Sequence, residues 1–448
     1  MKYSVITFGC RVNQADSLGF EEELRASGAE AAALESADLV VVNTCSVTAS
    51  ADQGARQTIR RVARANPNAR IIVTGCYATR RPEEVAGLPN VLRVVSNDDK
   101  PHLIQIALPI LGEVGLQLNL STADRFGDGE GSCGSAIEPG VAGRTAFTLR
   151  VQTGCAEPCA YCIIPATRGL PRSVAPAAVL KEVERVAGAG FKEIALTGVH
   201  LGSYGRDLTP ESSLIELLRA LDRCQGLLFR ISSLEPMDCS RDVVDLVANS
   251  ERFAPHFHLP FQHASDRVLA RMPAASIGSD VIVGFPGERD DDVDALASYL
   301  ERSPLTHVHV FPYSDRPGTE ATAMDEKVPG AVVRERGRRI REIAQRKTAA
   351  FREAQVGTIR RGLTLEDGSL VVTDNYLKVR IPPGHVRNEW VRVKILENAG
   401  ELLRGRFLLP FDDQLTAGGA DVASTALPNR DEDVVIREDL REPIDRRV

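Results

Sequence analysis

Long apolar runs are missing from this 448-residue chain: none approaches the ~20 residues that a membrane-crossing helix needs. The opening residues, Met1-Lys2-Tyr3-Ser4-Val5-Ile6, run straight into a strand pattern, with no secretory apolar region or cleavage site. A cytoplasmic protein with no membrane partner is therefore expected. Evenly spread cysteines are missing too. The nine present are clustered, which suits a reducing compartment and metal binding better than a disulfide framework. Nor is there an excess of positive charge: the formal net charge is −7, which weighs against nucleic acid as a partner until the charges are located. What remains is an ordinary globular composition, 43% hydrophobic and 26% charged, with length for two or three domains.

Against that background one stretch organises the chain, Cys155-Ala156-Glu157-Pro158-Cys159-Ala160-Tyr161-Cys162. Three soft thiolates in one tight loop are a ligand set for iron–sulfur iron or for zinc. A fourth cysteine would close the cage, but the next is Cys224. Three ligands on a four-iron cube leave one iron open, as a catalytic site requires; a zinc loop borrowing a distant ligand is the alternative. The CxxxCxxC spacing, with Tyr161 before the last cysteine, resembles the radical S-adenosylmethionine (SAM) enzymes. The resemblance implies that SAM chelates the open iron and is cleaved reductively to a 5′-deoxyadenosyl radical.

Residues 1–100 read as βαβαβ, the pattern of a small doubly wound sheet. Strands are expected at Ser4–Phe8, Asp38–Asn43 and Arg70–Thr74, and helices over Gln14–Ser27 and Gln53–Ala65. The unbroken apolar run Leu39-Val40-Val41-Val42 marks a strand buried on both faces. Cys10, Cys45 and Cys76 each follow one of the three strands. In a parallel sheet that puts all three on one rim, where open α/β sheets bind ligands. Any one of them alone reads as a buried small hydrophobe, but three at equivalent strand ends read as a second three-thiolate cluster site.

This paired layout resembles the methylthiotransferases, radical SAM enzymes whose N-terminal domain carries a second 4Fe-4S cluster. The resemblance implies two 4Fe-4S clusters, on Cys10, Cys45 and Cys76 and on Cys155, Cys159 and Cys162, with SAM as cosubstrate. The form Gly9-Cys10-Arg11-Val12-Asn13-Gln14-Ala15-Asp16 is most similar to the subfamily acting on N6-threonylcarbamoyladenosine beside the tRNA anticodon. Other subfamilies act on isopentenyladenosine in tRNA or on a ribosomal protein. A non-catalytic iron–sulfur or zinc protein that binds RNA is the rival of another class. An electron donor such as flavodoxin or ferredoxin is implied as a further partner.

The organisation expected is an N-terminal cluster domain over 1–110, a glycine-rich linker or lid over 111–143, and a radical SAM domain over 144–345. A small all-β domain follows over 356–410, then an acidic tail over 411–448. Cys133, in the linker, is expected to be a free thiol. Six βα units between 144 and 345 imply the family's partial (β/α) barrel, with its chemistry at the strands' carboxyl ends. Their strands are expected at 147–152, 193–198, 228–233, 256–262, 280–285 and 306–311. By resemblance, SAM contacts fall to Tyr161, Thr197, Gly198, Ser232, Glu235, Gln262 and Gly284. His200, His258 and His263 are expected to be satisfied loop or core histidines, not ligands. After Met272 the chain runs directly into Pro273-Ala274-Ala275-Ser276-Ile277-Gly278, where the family has a longer helix. That shortening is expected to expose apolar barrel surface.

The missing positive charge is local. Residues 334–361 hold ten Arg and Lys against three Glu, a net of +7. The bland reading is a solvated helix face; RNA binding is the other. Gly362–Thr373 reads as a hairpin around Asp367-Gly368, and strands are expected at 376–381, 390–396 and 402–408. This segment resembles the TRAM domain, an RNA-binding module of tRNA-modifying enzymes. Arg380, Arg387, Arg392, Lys394, Arg404 and Arg406 would then meet phosphates. The tail counts ten acids against five arginines and is expected to be disordered.

Overall fold

The computed structural model describes residues 1–46, 48–110, 139, 145–157, 159–261, 280–400 and 402–408. The linker apart from Pro139, Cys133, Gln262, His263, the shortened connection after Met272 and the tail lie outside these residues. Among the described residues no helix is long and apolar enough to cross a membrane.

The N-terminal sheet comprises β1 (Lys2–Thr7), β2 (Glu30–Ala31), β3 (Leu39–Thr44), β4 (Arg70–Gly75) and β5 (Val91–Val94), in the order β2-β1-β3-β4-β5. Every neighbouring pair is parallel. Helices α1 (Arg11–Ala26), α2 (Ala49–Ala65), α3 (Cys76–Arg80), α4 (Pro82–Ala86) and α5 (Leu103–Ile110) connect and flank it. Alternate residues of the central strands face opposite layers, as the pleat requires. Leu39, Val41 and Ile72 pack with Phe20 and Leu24 of α1, while Val40, Val42, Ile71 and Val73 pack with Ile59 and Val62 of α2. That two-sided burial explains the unbroken apolar run. The helices start earlier than the apolar periodicity suggested, because Cys10 and Thr48 already stand in extended N-cap conformations. Strands β2 and β5 were not anticipated, being edge strands with exposed or half-buried residues.

The central region pairs β6 (Phe147–Arg150), β9 (Glu193–Thr197) and β10 (Leu228–Ile231) in one parallel sheet. Its hairpin β7 (Gln152–Thr153) and β8 (Arg172–Ser173) brackets the CxxxCxxC loop and helix α6 (Ile164–Arg168). A second parallel pair joins β11 (Asp280–Val283) to β12 (His309–Pro312). The strand expected at 256–262 is corrected: among its described residues only His258 is bridged, to Ser233, and the other isolated bridge nearby, Phe229↔Phe253, lies before it. Pro260 within it cannot donate to a ladder. No ladder joins the two sheets among the described residues, so they show the parallel α/β character expected but not a continuous barrel.

The C-terminal strands β13 (Ile359–Leu365), β14 (Leu370–Thr373), β15 (Lys378–Arg380), β16 (Trp390–Asn398) and β17 (Leu403–Phe407) close a barrel in the order β13-β14-β15-β17-β16. The hairpin turn lies where Asp367-Gly368 predicted it; Glu366 and Gly368 both take positive φ, 50° and 87°. The helix before the barrel, Gly330–Glu353, spends much of its charge internally. Arg336 pairs with Glu288 and Asp290, Arg338 with Glu335 and Glu342, Arg339 with Asp294 and Arg346 with Glu301. These pairs favour the bland reading of that helix.

Candidate active site

The N-terminal trio is set by register. Thr7 pairs with Asn43 and Asn43 with Thr74, while Thr44 pairs with Gly75. Cys45 and Cys76 follow that last pair immediately, and Cys10 ends the loop after β1. All three therefore emerge on one rim, at the β1/β3 switch in strand order where such sheets bind ligands. Cys10 is exposed, and Cys45 and Cys76 are buried. Gly9 makes the close approach possible: at φ +86°, a Cβ there would lie 2.4 Å from Cys45 Sγ. The helix α1 then returns Asn13 to donate at 2.9 Å to the Phe8 and Thr44 carbonyls, which fixes both cysteine loops.

The second trio is held by its own backbone. Cys155 N–H donates to Gly169 O and Cys162 N–H to Cys159 O, each at 3.0 Å, and Ala321 N–H donates to Ala160 O at 2.8 Å. Burial, then the neighbouring Cys162 and Cys155, push the Cys159 thiol up to about 12. Burial also raises Cys162. Burial first, and then the neighbouring sulfurs, oppose ionisation of Cys159 and Cys162, a penalty that a bound metal cluster would remove. Cys224 packs against the central core, beside Glu184, and does not serve as a fourth ligand.

Charged side chains tie the trios together. Arg168, at the end of α6, is buried, donates to Asn13 Oδ1 at 2.6 Å and pairs with Asp16 at 3.3 Å. It also feels the Cys76 and Cys10 sulfurs. Burial alone would raise the Cys76 thiol, yet Arg168 and Lys100, with hydrogen bonds from Thr167 and Asn97, hold it below its usual value. Asp16 is the common anion: Lys100 Nζ reaches it at 2.8 Å and Arg150 at 3.1 Å. From the other side Arg316 lies within electrostatic reach of both Cys162 and Cys45. It is half-buried, and its Nε has no hydrogen-bond acceptor among the described residues.

The expected SAM positions divide. Tyr161 and Glu235 do come to the CxxxCxxC loop, both interacting with Cys159. Thr197 and Gly198 stand at the end of β9, where Gln152 Oε1 accepts from Val199 N–H and His200 N–H, each at 2.9 Å. Ser232 follows β10 and accepts from Arg11 Nη1 at 3.4 Å. Gly284 follows β11; a Cβ there would meet Val333 at 2.4 Å, so packing already requires the glycine. His200 is bonded to Asp238 at 3.0 Å beside Cys155. His258, Asp280 and His309 bring three donor atoms within 4.8 Å of one another. Both imidazoles are hydrogen-bonded to Asp280 Oδ1, at 3.1 and 3.0 Å, which satisfies the group without an ion.

Residues 2–96 match the family described as Uncharacterized protein family UPF0004, and residues 149–278 match the Radical SAM superfamily. Over 411 residues the chain is 35% identical to the threonylcarbamoyladenosine tRNA methylthiotransferase MtaB of Aquifex aeolicus (strain VF5), covering 85% of this chain and 96% of that one. The chain belongs to the radical SAM methylthiotransferases. The MtaB protein of Bacillus subtilis (strain 168) is 32% identical over 449 residues, 92% and 97% of the two chains. A ribosomal protein uS12 methylthiotransferase RimO, from Acidothermus cellulolyticus (strain ATCC 43068 / DSM 8971 / 11B), is 31% identical over 398 residues, 79% and 82%.

Membership makes this an enzyme of a family that works with SAM and 4Fe-4S clusters, and sets aside the non-catalytic binding module. The residues present fit those groups: two sulfur trios, with Arg316 carrying an unsatisfied buried N–H near both. Sequence reasoning did not assign Asn13, Asp16, Arg168 or Arg316 to this radical SAM methylthiotransferase site. Asn13 and Asp16 had a signal, their i,i+3 spacing on one face of the helix that starts after Cys10. Arg168 and Arg316 had none, because their partners are distant in sequence and meet them only in the folded chain.

Proposed function

We propose that this methylthiotransferase converts N6-threonylcarbamoyladenosine beside the tRNA anticodon to its 2-methylthio derivative. Cys155, Cys159 and Cys162 would hold the SAM-binding 4Fe-4S cluster, and Cys10, Cys45 and Cys76 a second. The adenine C2–H bond is neither acidic nor next to a leaving group, so general acid–base catalysis has little to act on. When bound, SAM and the clusters supply radical hydrogen abstraction and a methylated sulfur, chemistry that side chains lack.

The chain's residues bind and position. Arg168 locks α1 to α6 and so sets the rim carrying Cys10 and Cys76 against the loop carrying Cys162. Arg316 places a fixed positive charge between the trios. Tyr161, Glu235, Thr197, Gly198, Ser232 and Gly284 would surround SAM, joined by Gln262. The closed barrel, taken as a TRAM-like domain, would hold the tRNA through phosphate contacts. A flavodoxin or ferredoxin in the cytoplasm would supply the electron.

The observation that carries this reading is the meeting of the trios. Asn97 Nδ2 lies 3.6 Å from Cys76 Sγ and donates at 2.8 Å to Thr167 O, just after the CxxxCxxC loop, and the charge of Arg316 is felt by both Cys162 and Cys45. A sulfur donor and a radical source must share one substrate atom, and two separated sites would not serve. Nucleoside mass spectrometry of bulk tRNA from strains with and without the gene tests it. Loss of 2-methylthio-N6-threonylcarbamoyladenosine, restored by the gene, is expected. Unchanged tRNA with an altered ribosomal protein would transfer the activity to the protein substrate.

A further inference from the structure

Arg11 immediately follows Cys10 and begins α1. Its Nη1 donates to Ser232 Oγ at 3.4 Å and its Nη2 to Tyr376 Oη at 2.9 Å, and its guanidinium stands 5.9 Å from the Tyr376 ring centre. Thus one side chain joins the N-terminal rim, the end of β10 and the loop between β14 and β15. That loop is anchored beneath: Arg230 donates to Asp374 O at 3.2 Å and lies 4.8 Å from the same ring.

The charge balance here is unusual. Lys100, Arg150 and Arg168 share the Asp16 carboxylate, and Arg230 has Glu193 at 2.9 Å. Arg11, half-buried, has only two hydroxyl acceptors and no carboxylate among the described residues. A guanidinium carries five N–H donors in a fixed fork; here two are used on neutral acceptors. Tyr376 is held at φ +67°, a conformation costly for a bulky residue, yet it remains 46% exposed. Cationic, planar and backed by an aromatic ring, the site has the chemistry of a carboxylate receptor.

We infer that Arg11, steadied by Tyr376 and Ser232, binds the free carboxylate of the threonylcarbamoyl group and so selects the substrate. This rests on the function proposed above. The threonyl moiety carries a carboxylate that a guanidinium grips with two N–H bonds. An isopentenyl group is hydrocarbon and an unmodified adenine offers nothing, so either leaves the cation without its anion. Sites built around a polar partner reject analogues lacking it far more strongly than apolar pockets reject a missing methylene.

The test measures equilibrium binding of the reconstituted holoenzyme to two anticodon stem-loops of one sequence, with and without the threonylcarbamoyl group, and to SAM. Wild-type enzyme is expected to prefer the modified stem-loop by about tenfold or more. Arg11→Met is expected to shrink that preference to about twofold or less, while affinity for the unmodified stem-loop and for SAM stays put. Arg11→Lys should retain part of it, since a point charge still attracts a carboxylate. Equal weakening of both stem-loops would make Arg11 a phosphate contact, and weakened SAM binding would assign it to the cosubstrate; either overturns the inference. An undiminished preference in Arg11→Met overturns this site alone. A wild-type enzyme without preference overturns the substrate reading and this site with it.

Discussion

Arg168 Nη2 and Asp16 Oδ2 lie 3.3 Å apart, both side chains buried, and they join the helix after the CxxxCxxC loop to the helix that starts after Cys10. This junction is one of the ties that hold the two sulfur trios together. Burial works against the Asp16 charge, but Lys100, Arg150 and Arg168 overcome it and hold the carboxyl well below its usual range.

Removing that anion should therefore be costly. Asp16→Asn leaves three cations without a shared counter-charge, for which the expected loss is about 3–5 kcal/mol. Urea unfolding of the purified chain measures it. The sign in pH follows from the depressed folded value. The Asp16 contribution is complete above about pH 4, the unfolded carboxyl's range, and fades only as the pH falls through the lower folded value. Wild type minus Asp16→Asn should thus be constant from neutral pH down to about 4. A difference that vanished at pH 6 would exclude Asp16 as its source.

Gly9 offers a cleaner handle on one trio. At φ +86° with its α-carbon against Cys45, an added methyl group would displace the Cys45 side chain or unwind the loop. Gly9→Ala is expected to lower iron after anaerobic reconstitution from about eight to about four per chain, since one of two four-iron cubes is lost. Loading of the other trio should persist. Full loading of Gly9→Ala would mean that Cys45 is not a ligand.

The strand-end positions of Cys10, Cys45 and Cys76, the doubly wound N-terminal sheet and the C-terminal barrel were legible because each rests on a pattern local in sequence. Strand periodicity placed Cys10, Cys45 and Cys76 at strand ends, and Asp367-Gly368 placed the first hairpin of the barrel. Arg168, Arg316 and Tyr376 were not legible. Each acts between segments distant in sequence: Arg168 and Asp16, for example, are 152 residues apart. The basic helix was open to two readings, and what its composition could not show is that Glu288, Asp294 and Glu301, distant in sequence, neutralise three of its arginines.

The division of labour between the trios predicts different failures. Cys155→Ala should abolish 5′-deoxyadenosine formation, because the open iron that would bind SAM is lost with its cluster. Cys10→Ala should block methylthiolation and leave SAM cleavage largely intact. Chromatographic assay of 5′-deoxyadenosine alongside nucleoside mass spectrometry separates the two. Methylthiolated tRNA made by Cys10→Ala would contradict the assignment.

Basic residues on the helix and on the barrel should also behave differently toward tRNA. Arg338 is already held by Glu335 and Glu342, so any phosphate it meets must compete with two carboxylates. Lys394, on β16, has no carboxylate partner among the described residues and lies in a barrel that also presents Arg380 and Arg392. Each phosphate contact releases about one counterion, which appears as about one unit of slope in log affinity against log salt. Lys394→Gln is therefore expected to weaken tRNA binding and to reduce that slope by about one, with similar effects on all tRNAs. Arg338→Gln should change neither. Filter binding from low to moderate salt measures both slopes. The opposite outcome, a reduced slope for Arg338→Gln only, would move the RNA-binding surface from the barrel to the helix, because salt dependence reports phosphate contacts and is insensitive to charges already paired within the protein.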